Sequence, residues 1–124
     1  MVVGMDHDTD LEELKEEVRE FCEERNWDQF HDAKEMAIGI STEAAELLEH
    51  FRFLSEKETE ELLQDEEKRK EISDEMADVL YFMLRLAQLY DIDISEAFKR
   101  KMEKNEKKYP VEKAKDSNRK YDEF

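Results

Sequence analysis

Residues that interrupt helices are nearly absent from this sequence, which has two glycines and one proline among 124 residues. Glu, Lys, Leu, Ala and Met are prominent instead, and all of them favour helices. A chain of this length is sufficient for one domain with a single core. The sequence therefore predicts an all-α fold in which residues 1–124 form one domain, with a core over about residues 9–110 and an irregular tail over 111–124.

Hydrophobic periodicity and capping signals predict four helices and one shorter helical turn. The predicted helices run from about Asp10 to Arg25, from about Ala33 to Phe53, from about Glu66 to Tyr90, and from about Asp93 to just before Tyr109. Capping-box spacing accompanies the starts of these segments and of the short turn, at Thr9 with Glu12, Asp32 with Glu35, Ser55 with Glu58, and Asp93 with Glu96.

The charge balance limits the possible partners. A net charge of -16 argues against binding to a nucleic-acid polymer, because affinity for a polyanion comes mostly from Lys and Arg. The one basic region, Lys99 to Asp116, has eight Lys/Arg against four Asp/Glu. A small ligand that carries phosphates would need this region or a metal ion. Hydrophobic residues make up only 39% of the chain, which is little for a monomer with four long helices, so we expect a homo-oligomer.

The cellular compartment is predicted from the single cysteine and from the distribution of apolar residues. Cys22 cannot form an intrachain disulfide, and this favours a reducing environment. The beginning of the chain does not resemble a secretory signal, and no apolar run approaches the roughly 18 residues of a membrane span. We therefore expect a cytoplasmic protein without a membrane association.

The third predicted helix contains acids where apolar residues are expected. On a helical wheel, Glu75 lies in the middle of an apolar arc, and Asp78 lies at its edge beside Arg85. The second helix repeats the pattern: Glu43 borders its apolar arc, and Glu46 lies three residues further on. Two apolar arcs line these helices: Ile72, Val79, Phe82, Leu86 and Leu89 in the third, and Met36, Ile40, Ala44, Leu47, Leu48 and Phe51 in the second. Burying an unpaired carboxylate costs several kcal/mol, so these acids need partners.

A divalent cation is one partner that suits four acids. If the two helices pack antiparallel, their carboxylates converge, and an all-oxygen site selects a hard ion, Mg²⁺ first with Mn²⁺ as a substitute. The shortage of histidine argues against a zinc or di-iron site. Gly39, one turn before Glu43, would leave room for a ligand. The alternative is that the acids form salt bridges with Arg85, Lys101 and others, or face water at the edge of a dimer.

The two acid pairs resemble the E-x-x-E and E-x-x-D signature of the MazG-like nucleoside triphosphate pyrophosphohydrolases. The segments "RNWDQFHDAKEMAIGISTEAAELLEHFRF" and "KMEKNEKKYPVEKAKDSNRKY" are similar to the dCTP pyrophosphatase branch of that family. The resemblance extends from about Val18 to Tyr121. It implies a helical bundle that forms a homodimer or homotetramer, binds Mg²⁺, and hydrolyses a nucleoside triphosphate to the monophosphate and pyrophosphate.

The resemblance also assigns roles to individual residues. Glu43, Glu46, Glu75 and Asp78 would be the catalytic metal ligands; Lys101, Asn105 and Tyr109 would hold the triphosphate; and Trp27 with Phe53 would enclose the base. His31 lies in the same connection as Trp27 and Phe30, where the three rings either close the end of the bundle or face the ligand. The competing interpretation of the whole chain is a catalytically silent helical module that binds nucleotides or acts as a scaffold.

Three positions depart from the pattern of this branch. Phe53 occupies a position that often has a second tryptophan, and Val18 occupies one where relatives can carry a polar residue that contacts the base. Asp116 replaces a common glycine. The first two differences bear on base preference.

Overall fold

The computed structural model describes residues 4–123, and its regular structure within that range is entirely helical. The predicted all-α fold is confirmed. The α-helices are α1 (Leu11–Glu24), α2 (Ala33–Glu49), α3 (Glu56–Gln64), α4 (Glu66–Leu89), α5 (Ile94–Lys108) and α6 (Val111–Ala114). Short 3₁₀ turns are formed by Asp6–Asp8, Trp27–Phe30 and Tyr121–Glu123.

The chain divides into two compact units. The first ends at Asp91 and contains α1 to α4, and the second begins at Ile92 and contains α5 and α6. The assignment of residues 1–124 to a single domain stays a prediction. Residues 111–124 were expected to form an irregular tail. In the part of this segment that the structure describes, α6 and the Tyr121–Glu123 turn are short helical elements joined by irregular chain. None of the described helices is long and apolar enough to span a membrane.

Side-chain caps determine where the helices begin. Asp32 and Asp93 cap α2 and α5 as predicted, and Ser55 with Glu58 forms a complete capping box at the start of α3. The predicted cap at Thr9 is wrong by one residue, because Asp10 accepts the hydrogen bond from the Glu13 backbone N–H instead. Each cap satisfies a backbone N–H at a helix start, where no carbonyl of the preceding turn is available to accept it.

The predicted end of α2 at Phe53 is also wrong. The helix ends at Glu49, and the following residues form turns that close with Phe53 at a φ of 66°. A phenylalanine in this left-handed region cannot continue a right-handed helix. Apolar periodicity through Phe51 gave no indication of this reversal.

Helix α4 is the centre of the first unit and packs against α1, α2 and α3. The buried apolar side chains come from the helices around it and from α4 itself: Cys22, Met36, Ile72, Leu84 and Ala87. Leu48 was placed on the apolar arc of α2 but is 60% exposed. Consecutive helical residues point about 100° apart, so the partly buried Leu47 and the exposed Leu48 cannot share the same surroundings.

The register of α2 against α4 is set by a close approach at Gly39. A Cβ atom at this position would lie 2.5 Å from two ring atoms of Phe82, so the glycine accommodates that ring. The expectation that Gly39 leaves room for a ligand is therefore wrong. Moving four residues forward on α2 reaches Glu43, and moving four residues back on α4 reaches Asp78, which lies in the same acid cluster as Glu43. The two helices therefore run antiparallel and bring their acid pairs to the same level.

Replacing Gly39 with alanine is expected to destabilise the protein. Alanine favours a helix by about 1 kcal/mol over glycine, but overpacking against Phe82 costs roughly 1–3 kcal/mol. We expect a net loss of about 1 kcal/mol, measured by urea unfolding. Ser41→Ala, at an exposed position of the same helix, provides the control and should change stability little. A Gly39→Ala protein more stable than the parent would contradict the assigned contact with Phe82.

Candidate metal and nucleotide site

The acid pairs of α2 and α4 meet between the two helices. Glu43, Glu75 and Asp78 each place one carboxylate oxygen so that all three oxygens lie within 4.8 Å of one another. Glu46 is exposed, and a hydrogen bond joins its carboxylate to Glu43. The predicted convergence of the two helices on one acidic site is thus present in the structure.

Two of these carboxylates carry buried oxygens that have no hydrogen-bond partner among residues 4–123. They are Oε2 of Glu43 and Oε2 of Glu75. A buried carboxylate oxygen that lacks a donor lowers the stability of the folded chain, because it has lost its hydration without replacement. The arrangement has no evident structural benefit, and such a cost is typical of a site that awaits a ligand.

The electrostatic effect of the cluster is visible in the pKa values. A hydrogen bond with Glu46, burial, and the charges of the neighbouring acids raise the pKa of Glu43 to about 7. Burial and the charge of Glu46 raise the pKa of Glu75. Both shifts mean that the folded chain disfavours full ionisation of the cluster. A bound cation would favour the ionised carboxylates instead.

Salt bridges do not supply that cation. Arg85, the predicted partner on α4, pairs with Asp28 instead. Among the ion pairs found between residues 4 and 123, none includes Glu43, Glu46, Glu75 or Asp78. The alternative interpretation, in which these acids form salt bridges with Arg85 or Lys101, is therefore not supported by the described part of the chain.

The donor set fits a hard divalent cation. Three convergent carboxylates offer only oxygen atoms, and two of these oxygens accept no hydrogen bond from the part of the chain that the structure describes. Mg²⁺ and Mn²⁺ prefer such ligands, whereas zinc sites usually contain histidine or cysteine. These three residues could therefore hold a divalent metal ion.

The aromatic connection between α1 and α2 is anchored from α4. The Trp27–Phe30 turn carries Trp27, whose ring packs edge-on to Phe21 at a centroid distance of 5.6 Å. The His31 ring lies 6.0 Å from that of Trp27. Burial and the nearby charge of Arg85 lower the pKa of His31, which favours the neutral imidazole. Trp27 remains about one third exposed, which leaves ring surface for a ligand.

Phe53 differs from Trp27 in its surroundings. Its side chain is 90% exposed, and the guanidinium of Arg52 lies over its ring, 4.7 Å from the centroid. The ring contacts found for Trp27 in the described residues are with Phe21 and His31. The enclosure of a base between Trp27 and Phe53 stays a prediction.

The predicted triphosphate-binding residues all belong to the second unit. Lys101 and Asn105 lie four residues apart on α5, and Tyr109 caps the end of that helix. Residues at this spacing share one face of a helix. The Tyr109 ring packs edge-on to Tyr121, with a centroid distance of 6.2 Å. The role of Lys101, Asn105 and Tyr109 in holding phosphates stays a prediction.

Sequence reasoning missed one feature of this region, the set of contacts made by Arg85. It placed Arg85 beside Asp78, whereas the structure places its guanidinium against Asp28 and His31. A signal was present, because an arginine in the apolar run "MLRLA" also needs an acidic partner, and "WDQFH" supplies one.

Comparison with known proteins agrees with this geometry. Residues 38–124 match the MazG-like family, and this range includes both acid pairs. The chain belongs to the MazG-like family.

The relatives of this MazG-like chain include dCTP pyrophosphatase 1 from Homo sapiens, which is 32% identical over 92% of the chain and 67% of that protein. The Mus musculus protein of the same name is 32% identical over 90% of the chain and 65% of its own length. The chain thus spans about two thirds of the length of these relatives. A solved structure of a pyrophosphatase from Archaeoglobus fulgidus is 43% identical, with a TM-score of 0.76, and the match covers 89% of this chain and 98% of that one.

Proposed function

We propose that this chain is a Mg²⁺-dependent nucleoside triphosphate pyrophosphohydrolase. The observation that carries the proposal is the pair of buried, unpartnered oxygens of Glu43 and Glu75 in an acid cluster of a MazG-like chain. In the proposed reaction, water attacks the α-phosphorus, the bond to the bridging oxygen of the β-phosphate breaks, and the products are the monophosphate and pyrophosphate.

Each acid has a role in this proposal. Glu43, Glu75 and Asp78 would hold the ion, and Glu46 would complete the set. Bound Mg²⁺ would neutralise charge on the phosphate oxygens as it develops. We assign to Glu46 the uptake of a proton from the attacking water, because it is exposed at the border of the cluster while Glu43 and Glu75 are partly buried. No covalent intermediate with the protein is needed.

The remaining candidates would bind the substrate. We propose that the base stacks on Trp27, with His31 at its edge and Phe53 on its other side, and that Lys101, Asn105 and Tyr109 hold the triphosphate. The relatives named dCTP pyrophosphatase favour a pyrimidine deoxynucleotide as substrate. A role in removing surplus or non-standard nucleotides would follow from this activity.

We also propose that the chain forms a homodimer or homotetramer. Met76, Leu80 and Met83 lie on one face of α4, and each is at least 41% exposed. Their spacing of four and three residues is typical of a helix face that packs against another helix. The buried, unpaired Cys22 suits the reducing conditions of the cytoplasm, which we propose as the location.

The test is a pyrophosphate-release screen of the purified protein with Mg²⁺ and with Mn²⁺. Deoxynucleotides, ribonucleotides and modified nucleotides are supplied separately, and the nucleotide product is identified by chromatography. We expect the monophosphate and pyrophosphate in equal amounts, fastest with a pyrimidine deoxynucleotide, and no turnover with EDTA. Release no faster than without protein for every nucleotide would refute the enzymatic proposal. Nucleotide binding without turnover would instead favour a silent binding module.

A further inference from the structure

Arg85 is the most deeply buried charged side chain of the described residues, with 1% of its surface exposed. Its guanidinium forms an ion pair with Asp28 and donates a hydrogen bond to the side-chain oxygen of Gln88. Its Nε–H donates to Nδ1 of His31 over 3.0 Å. All of these contacts except Gln88 lie in the aromatic connection between α1 and α2, so the guanidinium fastens that connection to α4.

The contact with His31 has a chemical consequence. Because Arg85 is always protonated and donates through Nε, the Nδ1 atom of His31 must be the acceptor. Neutral imidazole has one N–H, which must then be on Nε2. Protonation of Nδ1 would place two N–H groups against each other. Arg85 therefore holds His31 in a single tautomer whose other nitrogen is a hydrogen-bond donor.

The His31 ring also lies close to Trp27. Asp28 and His31 are contacted by the same guanidinium, and Trp27 lies immediately before Asp28. The His31 and Trp27 rings are 6.0 Å apart and tilted by 58°. A flat ligand stacked on the indole would therefore lie within reach of the imidazole.

We infer that Arg85 is a positioning residue that presents Nε2–H of His31 as a hydrogen-bond donor to a carbonyl or ring nitrogen at the edge of a heteroaromatic base stacked on Trp27. This inference rests on the proposed function for the identity of the base. Arg85 touches neither the phosphates nor the reacting water in this arrangement. Its loss should weaken nucleotide binding and leave the chemical step largely intact.

Arg85→Met tests the inference, because methionine keeps much of the apolar stem and removes the guanidinium. Asp28 is 55% exposed, so water can solvate its carboxylate after the change, and folding should be retained. We expect KM for the preferred nucleotide to rise about tenfold while kcat changes less than about threefold. Arg69→Met, an exposed arginine of the same helix, is the matched control and should leave both constants unchanged.

Two further measurements distinguish positioning from simple structural support. Nitrogen NMR of His31 should show only the Nε2–H tautomer in the parent and in Arg69→Met, and a mixture in Arg85→Met. His31→Asn keeps an acceptor for Arg85 but removes the Nε2–H donor. It should raise KM by a similar factor, and the double variant should be no worse than either single one.

Several outcomes would overturn the inference. They are an unchanged His31 tautomer in Arg85→Met, a KM within twofold of the parent, or additive effects of the two substitutions. The tautomer measurement needs no turnover. If the parent hydrolyses no nucleotide, the proposed function fails, while NMR and nucleotide titrations followed by the fluorescence of Trp27, the only tryptophan, still decide the role of Arg85.

Discussion

Glu75→Gln is expected to abolish hydrolysis and, at the same time, to stabilise the metal-free protein. Glutamine keeps the size of the side chain but removes its charge from a cluster where burial and Glu46 already raise the pKa of Glu75. The same change removes a proposed ligand of the metal ion. We expect kcat/KM to fall by at least about a hundredfold, because metal stabilisation of the transition state is worth several kcal/mol. The melting temperature without metal should rise.

Asp74→Asn provides the matched control for this experiment. Asp74 is adjacent in sequence, exposed, and outside the three-acid cluster, so its neutralisation alters the net charge equally without touching the site. It should leave activity within about twofold of the parent, because exposed substitutions away from special contacts have small effects. Equal losses in both variants would indicate a general charge effect. Retained activity in Glu75→Gln would remove Glu75 from the metal-binding set.

Mg²⁺ is expected to stabilise the protein much more near pH 8 than near pH 5. The pKa of Glu43 is raised from its ordinary value of 4.5 to about 7. A raised carboxyl pKa contributes stability that is complete below 4.5 and is lost as the pH rises through about 7. Near pH 8 the Glu43 carboxyl is mostly ionised, so the cation binds without displacing its proton. Near pH 5 it must displace the proton of Glu43.

The measurement is the melting temperature with and without Mg²⁺ at both pH values, with sodium chloride added to match ionic strength. A ligand present at about 100 times its dissociation constant raises the free energy of unfolding by about 2.7 kcal/mol. We expect an increase of this size from Mg²⁺ near pH 8 and less than half of it near pH 5. The pKa of His31 is lowered, so its protonation destabilises the folded protein as the pH falls. We therefore compare the change in melting temperature caused by Mg²⁺ at each pH, rather than the melting temperature itself. Glu43→Gln should remove most of the pH dependence. An equal Mg²⁺ effect at both pH values in the parent would contradict the prediction.

The acid cluster could be predicted from sequence because its signal is local: acidic residues stand where the helix pattern calls for apolar ones. Glu75 interrupts an apolar arc, and repetition of the pattern at Glu43 and Glu46 indicates a shared cause. Helical spacing then requires the members of each pair to share a face, and antiparallel packing requires the pairs to meet. The structure brings together three of the four carboxylates most closely, with Glu46 at the border.

The features that sequence reasoning missed depend on contacts between distant residues. Nothing in the residues around Gly39 indicates that Phe82 fills the space beside it. The sequence therefore suggests that this space is open to a ligand. Likewise, Arg85 lies 57 positions from Asp28, and periodicity alone does not pair them. The reversal at Phe53 was missed because a left-handed residue other than glycine or asparagine has no reliable sequence signal.

The close approach of α2 and α4 at Gly39 bears on the size of the cation that the acid cluster would select. Glu43 lies one turn beyond this glycine and Asp78 one turn before Phe82, so the separation of the two backbones at Gly39 contributes to the distance between their carboxylates. Oxygen ligands lie about 2.0–2.1 Å from Mg²⁺ and about 2.3–2.6 Å from Ca²⁺. A narrow separation favours the smaller ion. Discrimination between two cations of equal charge would then originate in a residue that contacts neither of them.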